Sequence, residues 1–265
     1  MNLGKKIRLE RIIKRSNGRT ILVPMDHGVS MGRVEGLIDM RETVNDLAEG
    51  GVDAVLMHKG LIRCGHRASG KDVGLIMHLS ASTDLSPSPN SKTIVGSVEE
   101  AIRIGADAVS VHVNLGDPNE AEMLAAFGAI AEKCDLWGMP LLAMVYARGP
   151  KIPNSYAPEA VAHCARIGTE LGADVVKVSY TGDVESFADV VSCCCVPVLI
   201  AGGPRMDSTR DILQMVFDSL RAGGSGISIG RNVFQHPRRR ELVRALRMIV
   251  HEDATVEQAL EIVGE

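Results

Sequence analysis

The sequence predicts a single (β/α)8 barrel, of the TIM-barrel class, on three observations: a recurring glycine-led phrase, eight short apolar runs, and a length of 265 residues. The phrase reads GGVDAVLMH at 50–58, GADAVSVHV at 105–113, GADVVKVSY at 172–180 and, more loosely, AGGSGISIG at 222–230. Its glycine suits the left-handed position that closes a helix, and the β-branched run behind it suits a strand buried on both faces. Each phrase therefore joins a helix to the next parallel strand. The eight runs begin near Thr20, Ala54, Gly74, Ala108, Pro140, Val175, Val196 and Gly226. A repeat of roughly 30 residues is one strand with its returning helix. A doubly wound open sheet wants G-x-G-x-x-G after its first strand, where PMDHGVSMG stands instead. Barrels of about 250 residues form as one unit, so residues 1–265 are read as one domain.

Residues 1–19 come first, with seven Lys or Arg against one Glu and with Ile7, Leu9, Ile12 and Ile13 among them. This predicts a basic N-terminal helix packed on one end of the barrel; an arm for nucleic acid or membrane is the competing reading. Later helix starts are marked by Ser97 with Glu100, Ser208 with Asp211, and Thr255 with Gln258, all at capping-box spacing. Between 59 and 96, KGLIRCGHRASGKDV and ASTDLSPSPNSKT lack helical periodicity and are rich in Gly, Ser and Pro. They predict long loops at 59–73 and 81–92, of the kind that form lids and binding sites.

Composition narrows the function. Apolar residues make up 45% of the chain, charged residues 23%, and the net charge is -4. An acidic, ordinary globular composition has no general attraction for nucleic acid or anionic membranes. No run of 18 apolar residues occurs, and MNLGKKIRLERIIKR lacks a signal-peptide core, which predicts a cytoplasmic protein acting on small molecules. Cys193, Cys194 and Cys195 stand in a row and point to opposite faces of an extended segment, so free thiols are expected. No CxxC, HxH or HxxxH spacing points to a metal, and none is expected.

In such barrels the chemistry gathers at the carboxyl ends of the strands. Strand one ends in Asp26 and His27, two in His58 and Lys59, three in His78, four in His112 and Asn114, and five in Tyr146 and Arg148. Lys177 lies inside strand six, where an ammonium is costly: desolvation lowers a lysine pKa by up to several units and leaves an amine able to attack a carbonyl. The same position also suits a structural lysine paired with a buried carboxylate such as Asp26, and Lys59 is a less buried competitor. Asp26 suits either a general base or a counter-ion, and Tyr146 either a proton donor or a core ring. The last two strands run out in IAGGPRM at 200–206 and SIGRNVFQ at 228–235. Loops after strands seven and eight, with the start of a short extra helix, commonly hold phosphate. Gly202, Gly203, Gly230 and Arg231, with Arg205 nearby, therefore predict a phosphorylated substrate, ordinary turn glycines being the other reading.

PMDHG, HKGLIRCGHR, GKDVGLIMHLS, SPSP, VYARG, VVKVSYTGD, IAGGP and GRNVFQH resemble the archaeal class I aldolase family, from about residue 3 to the C-terminus. The resemblance implies Lys177 as the Schiff-base lysine, Asp26 as a proton acceptor and Tyr146 as a proton donor, with no metal and no cofactor. It implies substrate contacts by Asp26, His27, Gly28, Val29 and Ser30, by Tyr146, Ala147 and Arg148, by Gly202 and Gly203, and by Gly230 and Arg231. The family's YPRG turn reads YARG here, with Ala147 in place of proline and a proline at Pro150. The implied reaction moves a fragment of 6-deoxy-5-ketofructose 1-phosphate to L-aspartate semialdehyde, on an alternative route to 3-dehydroquinate and the aromatic amino acids. Fructose-bisphosphate cleavage is the competing activity, and HKGLIRCGHR with GKDVGLIMHLS favours the transfer. A silent sugar-phosphate-binding barrel, a third reading, has no need of an amine buried in strand six. Because relatives form rings of five and decamers, the resemblance also implies a homo-oligomer.

Overall fold

A computed structural model describes residues 2–65 and 72–264. Its strands in chain order are β1 (Thr20–Pro24), β2 (Ala54–Met57), β3 (Gly74–His78), the short β4 (Ser80–Ala81) and β5 (Thr93–Ile94), β6 (Ala108–Leu115), β7 (Leu141–Ala147), β8 (Val175–Val178), β9 (Val198–Ala201) and β10 (Gly226–Ser228). The helices are α1 (Leu3–Leu9), α2 (His27–Met31), α3 (Met40–Gly50), α4 (Lys59–Gly65), α5 (Val98–Ile104), α6 (Glu120–Trp137), α7 (Pro158–Glu170), α8 (Val184–Ser192), α9 (Thr209–Arg221), α10 (Arg231–Phe234), α11 (Arg239–Glu252) and α12 (Val256–Val263). Eight parallel strands close in the order β1-β10-β9-β8-β7-β6-β3-β2, which is the (β/α)8 barrel, while β4 and β5 pair antiparallel beside it. The three capping pairs read from the sequence all form: Ser97, Ser208 and Thr255 each accept from the backbone N–H three residues on.

Three boundaries differ from the sequence expectation, each for a local reason. Strands β7 and β9 begin at Leu141 and Val198 rather than at Pro140 and Val196. Pro140 and Pro197 lend only carbonyls to their neighbours, accepting from Val109 and Val176, because a proline has no N–H for the ladder. Residues 59–65, expected as loop, form α4, whose seven residues are too few to show a period. The 81–92 segment is a loop held at its base by the β4·β5 pair, with Ser80 opposite Ile94 and Ala81 opposite Thr93. Residues 66–71 of the 59–73 expectation lie outside the described residues.

The aspartates of the glycine-led phrase explain the basic N-terminal segment. Asp53, Asp107 and Asp174 each accept from a backbone N–H on the neighbouring strand, those of Ile21, Leu75 and Leu141 at 2.8, 2.9 and 2.9 Å. Each also binds one cation of the first 19 residues: Lys14 at 3.2 Å on Asp53, Arg11 at 2.5 Å on Asp107, and Lys5 at 3.0 Å on Asp174. Three repeats of one phrase thus provide three sockets, and the fourth, with Ser225 in the aspartate position, provides none. Ile12 and Ile13 meanwhile close the barrel interior against Leu22, Ala54 and Ile76. Asp53 also binds His251 at 2.7 Å, with both side chains buried. Asp53→Ala leaves His251 and Lys14 without their anion, and urea denaturation should show a loss of roughly 3–5 kcal/mol, as for a broken buried pair; a loss under about 1 kcal/mol would refute the socket.

Candidate active site

Side chains alternate across a strand, so every second residue of each barrel strand enters the interior. Low in the barrel these are apolar: Leu22, Leu56, Ile76, Leu142, Met144, Val175 and Leu199. Two residues further along each strand the same columns turn polar. Leu56 leads to His58, Ile76 to His78, Met144 to Tyr146, Val175 to Lys177 and Gly226 to Ser228, and all of these polar groups line one cavity of about 570 Å³ at the barrel mouth. The period that builds the core therefore also lifts the chemistry to the end of the strands.

Lys177 is 6% exposed, and among the described residues its Nζ has one hydrogen-bond partner, the Met144 sulfur at 3.6 Å. Among the described residues no carboxylate lies within ion-pair distance of that amine, so the paired structural lysine weighed from the sequence is not what forms. Lys59 instead bonds Glu100 at 3.0 Å on the surface. Asp26 lies 3.7 Å from His78 Nε2 and 3.7 Å from His27 Nδ1. Burial alone would raise its carboxyl, but the facing His78, His27, Lys177 and His58 outweigh that and hold it below the usual carboxylate range. Burial also discharges the imidazoles at neutral pH: it pushes His78 down to about 4 and lowers His27, His58 and His112.

Tyr146 is 7% exposed, with the His112 ring edge-on at 5.1 Å and the Arg148 guanidinium 4.5 Å from its ring centroid. The YARG turn is held without the family's proline, because the Arg148 N–H donates to Leu115 O at 2.9 Å. His78 Nδ1 meets Ser110 Oγ at 2.7 Å, which fixes the ring and aims Nε2 at Asp26. Asp26, His58 and His78 bring three candidate ligand atoms within 4.8 Å of one another, a cluster that sequence spacing did not disclose because the fold assembles it from three strands.

On the opposite side, Gly203 takes a left-handed φ of 64°, and the Arg231 guanidinium reaches its carbonyl at 3.4 Å. Asn232 bonds the carbonyls of Gly202 and Pro204 at 2.8 and 3.0 Å and fastens this loop to α10. Gly202 and Gly230 are glycine for packing: a Cβ would stand 2.6 Å from Ile229 and 2.5 Å from His27. Of the residues singled out from sequence, Asp26, His27, Ser30, Tyr146, Arg148, Lys177, Gly202, Gly203, Gly230 and Arg231 share the cavity. Gly28 and Val29 face an adjacent apolar groove with Leu37 and Leu61, and Ala147 turns into the barrel-helix core. Lys92, Asp84, Ser179 and Ser228 also line the cavity. The two serines were legible as the next members of the interior columns; Lys92 and Asp84 sit on a loop with no period to follow.

The neutral state of His78 gives a pH prediction. A histidine in the unfolded chain protonates near 6.5, whereas His78 in the fold resists until about 4. Below 6.5 the unfolded state binds more protons, so stability present above 6.5 is lost as pH falls toward 4. The urea midpoint should fall across that window, and less steeply in His78→Asn; an unchanged slope would contradict it.

A buried amine without a counter-ion, a carboxylate and a phenol around one cavity at the carboxyl ends of a (β/α)8 barrel define the Schiff-base aldolase class. The chain belongs to the DeoC/LacD aldolase family, which residues 20–236 match. It is 45% identical over 262 residues to 2-amino-3,7-dideoxy-D-threo-hept-6-ulosonate synthase 1 of Archaeoglobus fulgidus, covering 99% of this chain and 96% of that protein. It is 42% identical to the 2-amino-4,5-dihydroxy-6-oxo-7-(phosphonooxy)heptanoate synthase of Streptomyces griseus, covering 95% and 92%. A solved structure of a Schiff-base-forming fructose-1,6-bisphosphate aldolase superposes with a TM-score of 0.86 at 33% identity, covering 93% of this chain and 100% of that one. Among the described residues no helix is long and apolar enough to cross a membrane.

Proposed function

We propose that the protein joins a fragment of 6-deoxy-5-ketofructose 1-phosphate to L-aspartate semialdehyde, giving 2-amino-3,7-dideoxy-D-threo-hept-6-ulosonate. The observation that carries the chemistry is the Lys177 amine, buried, free of any carboxylate and ringed by proton-carrying groups. The choice of product rests on the 45% identity to the Archaeoglobus synthase named for it, against 33% to the fructose-bisphosphate aldolase. Lys177 attacks the ketone next to the methyl group, and loss of water leaves a protonated imine. That imine draws the electron pair of the bond between its α and β carbons as it breaks, which leaves an enamine on the lysine and an aldehyde at the former β-hydroxyl carbon. The 7-deoxy, 6-keto end of the product identifies the piece kept on the lysine as the methyl-ketone end, so the phosphate departs with the aldehyde half. The enamine then attacks aspartate semialdehyde, and water frees the product. Asp26 accepts the hydroxyl proton during cleavage, and Tyr146 protonates the alkoxide formed on addition.

In this reading the Gly203 and Arg231 pole takes the phosphate. Arg231→Ala removes one charge-assisted contact, worth about 1.5–3 kcal/mol, so the KM for the phosphosugar should rise roughly 10- to 150-fold. An equal loss with an unphosphorylated analogue would sink the assignment. Turnover assays test the whole reading: product should form from aspartate semialdehyde, and faster cleavage of fructose 1,6-bisphosphate would overturn it. A second reading is favoured by the Streptomyces relative, whose named product keeps a phosphate at carbon 7. There a phosphorylated three-carbon ketone is the donor, and supplying it with aspartate semialdehyde distinguishes the two. We also infer a cytoplasmic homo-oligomer, a ring of five or a decamer, which sedimentation reads directly.

A further inference from the structure

The catalytic mouth has a second cationic pole that the phosphate site does not use. Lys92, half-buried, stands at the foot of β5, where its Nζ donates to Ser82 Oγ at 2.5 Å and reaches Pro89 O at 3.4 Å. An ammonium has three donors, so one stays open toward the cavity. Arg148 is its neighbour: its positive charge, like burial, works against that of Lys92. The Arg148 guanidinium lies over the Tyr146 ring at 4.5 Å. Among the described residues neither cation has a carboxylate within ion-pair distance. Two cations lining one cavity, neither held in an ion pair, favour an anion between them. Among the described residues the acids lining this cavity are Asp26 and Asp84, and the charge of each acts on Lys92.

Chemistry says which anion belongs there. The two synthase relatives have named products that differ at carbon 7, one deoxy and one phosphorylated, yet both begin as 2-amino acids. An α-amino-acid head is thus the element their products share, and it carries a carboxylate and an ammonium side by side. The pole adjoins Tyr146, the group placed to protonate the acceptor oxygen, so an acceptor held by its far end presents its aldehyde to that phenol. We propose that Lys92 and Arg148 anchor the carboxylate of an α-amino-acid aldehyde and that Asp84 takes its ammonium. This subsite rests on the synthase reading above and makes the 80–94 excursion the element that selects the acceptor.

A series of acceptors tests it on the full-length enzyme, with the phosphosugar as donor: aspartate semialdehyde, succinic semialdehyde without the amine, and butanal with neither charge. For a double-displacement enzyme, kcat/KM for the acceptor reports the second half-reaction, so any effect on the donor step drops out of the comparison. Lys92→Met should lower kcat/KM roughly 10- to 100-fold for both charged aldehydes, at least ten times more than for butanal, and Lys92→Arg should restore most of it. Asp84→Asn should affect aspartate semialdehyde alone. Borohydride trapping with the phosphosugar reports that each variant folds and forms its imine. The subsite is overturned if Lys92→Met affects all three aldehydes equally or none, or if it abolishes trapping. If the wild-type enzyme traps the phosphosugar yet never turns over aspartate semialdehyde, the synthase reading itself falls, and the subsite with it.

Discussion

Lys177→Met should abolish turnover, by roughly 10⁵-fold or more, and leave a protein at least as stable as the parent. The rate loss follows from the mechanism, because without the amine there is no imine to hold the electron pair released from the breaking bond. The stability expectation follows from the structure. Lys177 is buried, and among the described residues its Nζ has one hydrogen-bond partner, the Met144 sulfur, and no paired carboxylate. Methionine has a similar volume and removes an amine that the interior desolvates, and such replacements are neutral or stabilising. Thermal denaturation beside a turnover assay checks both halves. A variant that is inactive because it unfolds would return Lys177 to a structural role.

Tyr146→Phe and Asp26→Asn carry the next largest effects and separate two proton transfers. Phenylalanine keeps the ring against His112 and under Arg148 and deletes only the hydroxyl. Imine trapping should survive while product formation slows by roughly 10²- to 10⁴-fold, the ordinary contribution of one positioned acid. Asp26 is close to His78 and His27 at 3.7 Å but not to Lys177 within ion-pair reach. Its removal therefore breaks no ion pair with Lys177, and Asp26→Asn should stay folded while suppressing turnover. A fully active Tyr146→Phe, or an unfolded Asp26→Asn, would overturn these roles.

Much of this was legible in the sequence because two simple periods govern it. The αβ phrase repeats with each unit, and its glycine and buried run mark the helix-to-strand junctions at Ala54, Ala108, Val175 and Gly226, where the strands begin. The two-residue alternation inside a strand then decides which polar residues rise into the mouth, which is why Lys177, Tyr146 and His78 could be singled out. What escaped had no period. Lys92 and Asp84 lie on the 80–94 excursion, whose path depends on the Ser82, Pro89 and Lys92 contacts rather than on any repeat. Asp26, His58 and His78 come from three strands, so no spacing along the chain could announce their meeting. The aspartates of the phrase were visible as a pattern, but their purpose as sockets for Lys5, Arg11 and Lys14 needed the closed barrel.

Peptide mapping after borohydride reduction in the presence of the phosphosugar shows which amine forms the covalent link to substrate, and Lys177 is the one expected. One adduct per chain should appear, on the peptide that contains Lys177, and a chelator should not prevent it, since the imine itself is the electron sink. An adduct on Lys59, or none at all from an enzyme that still turns over, would contradict the account.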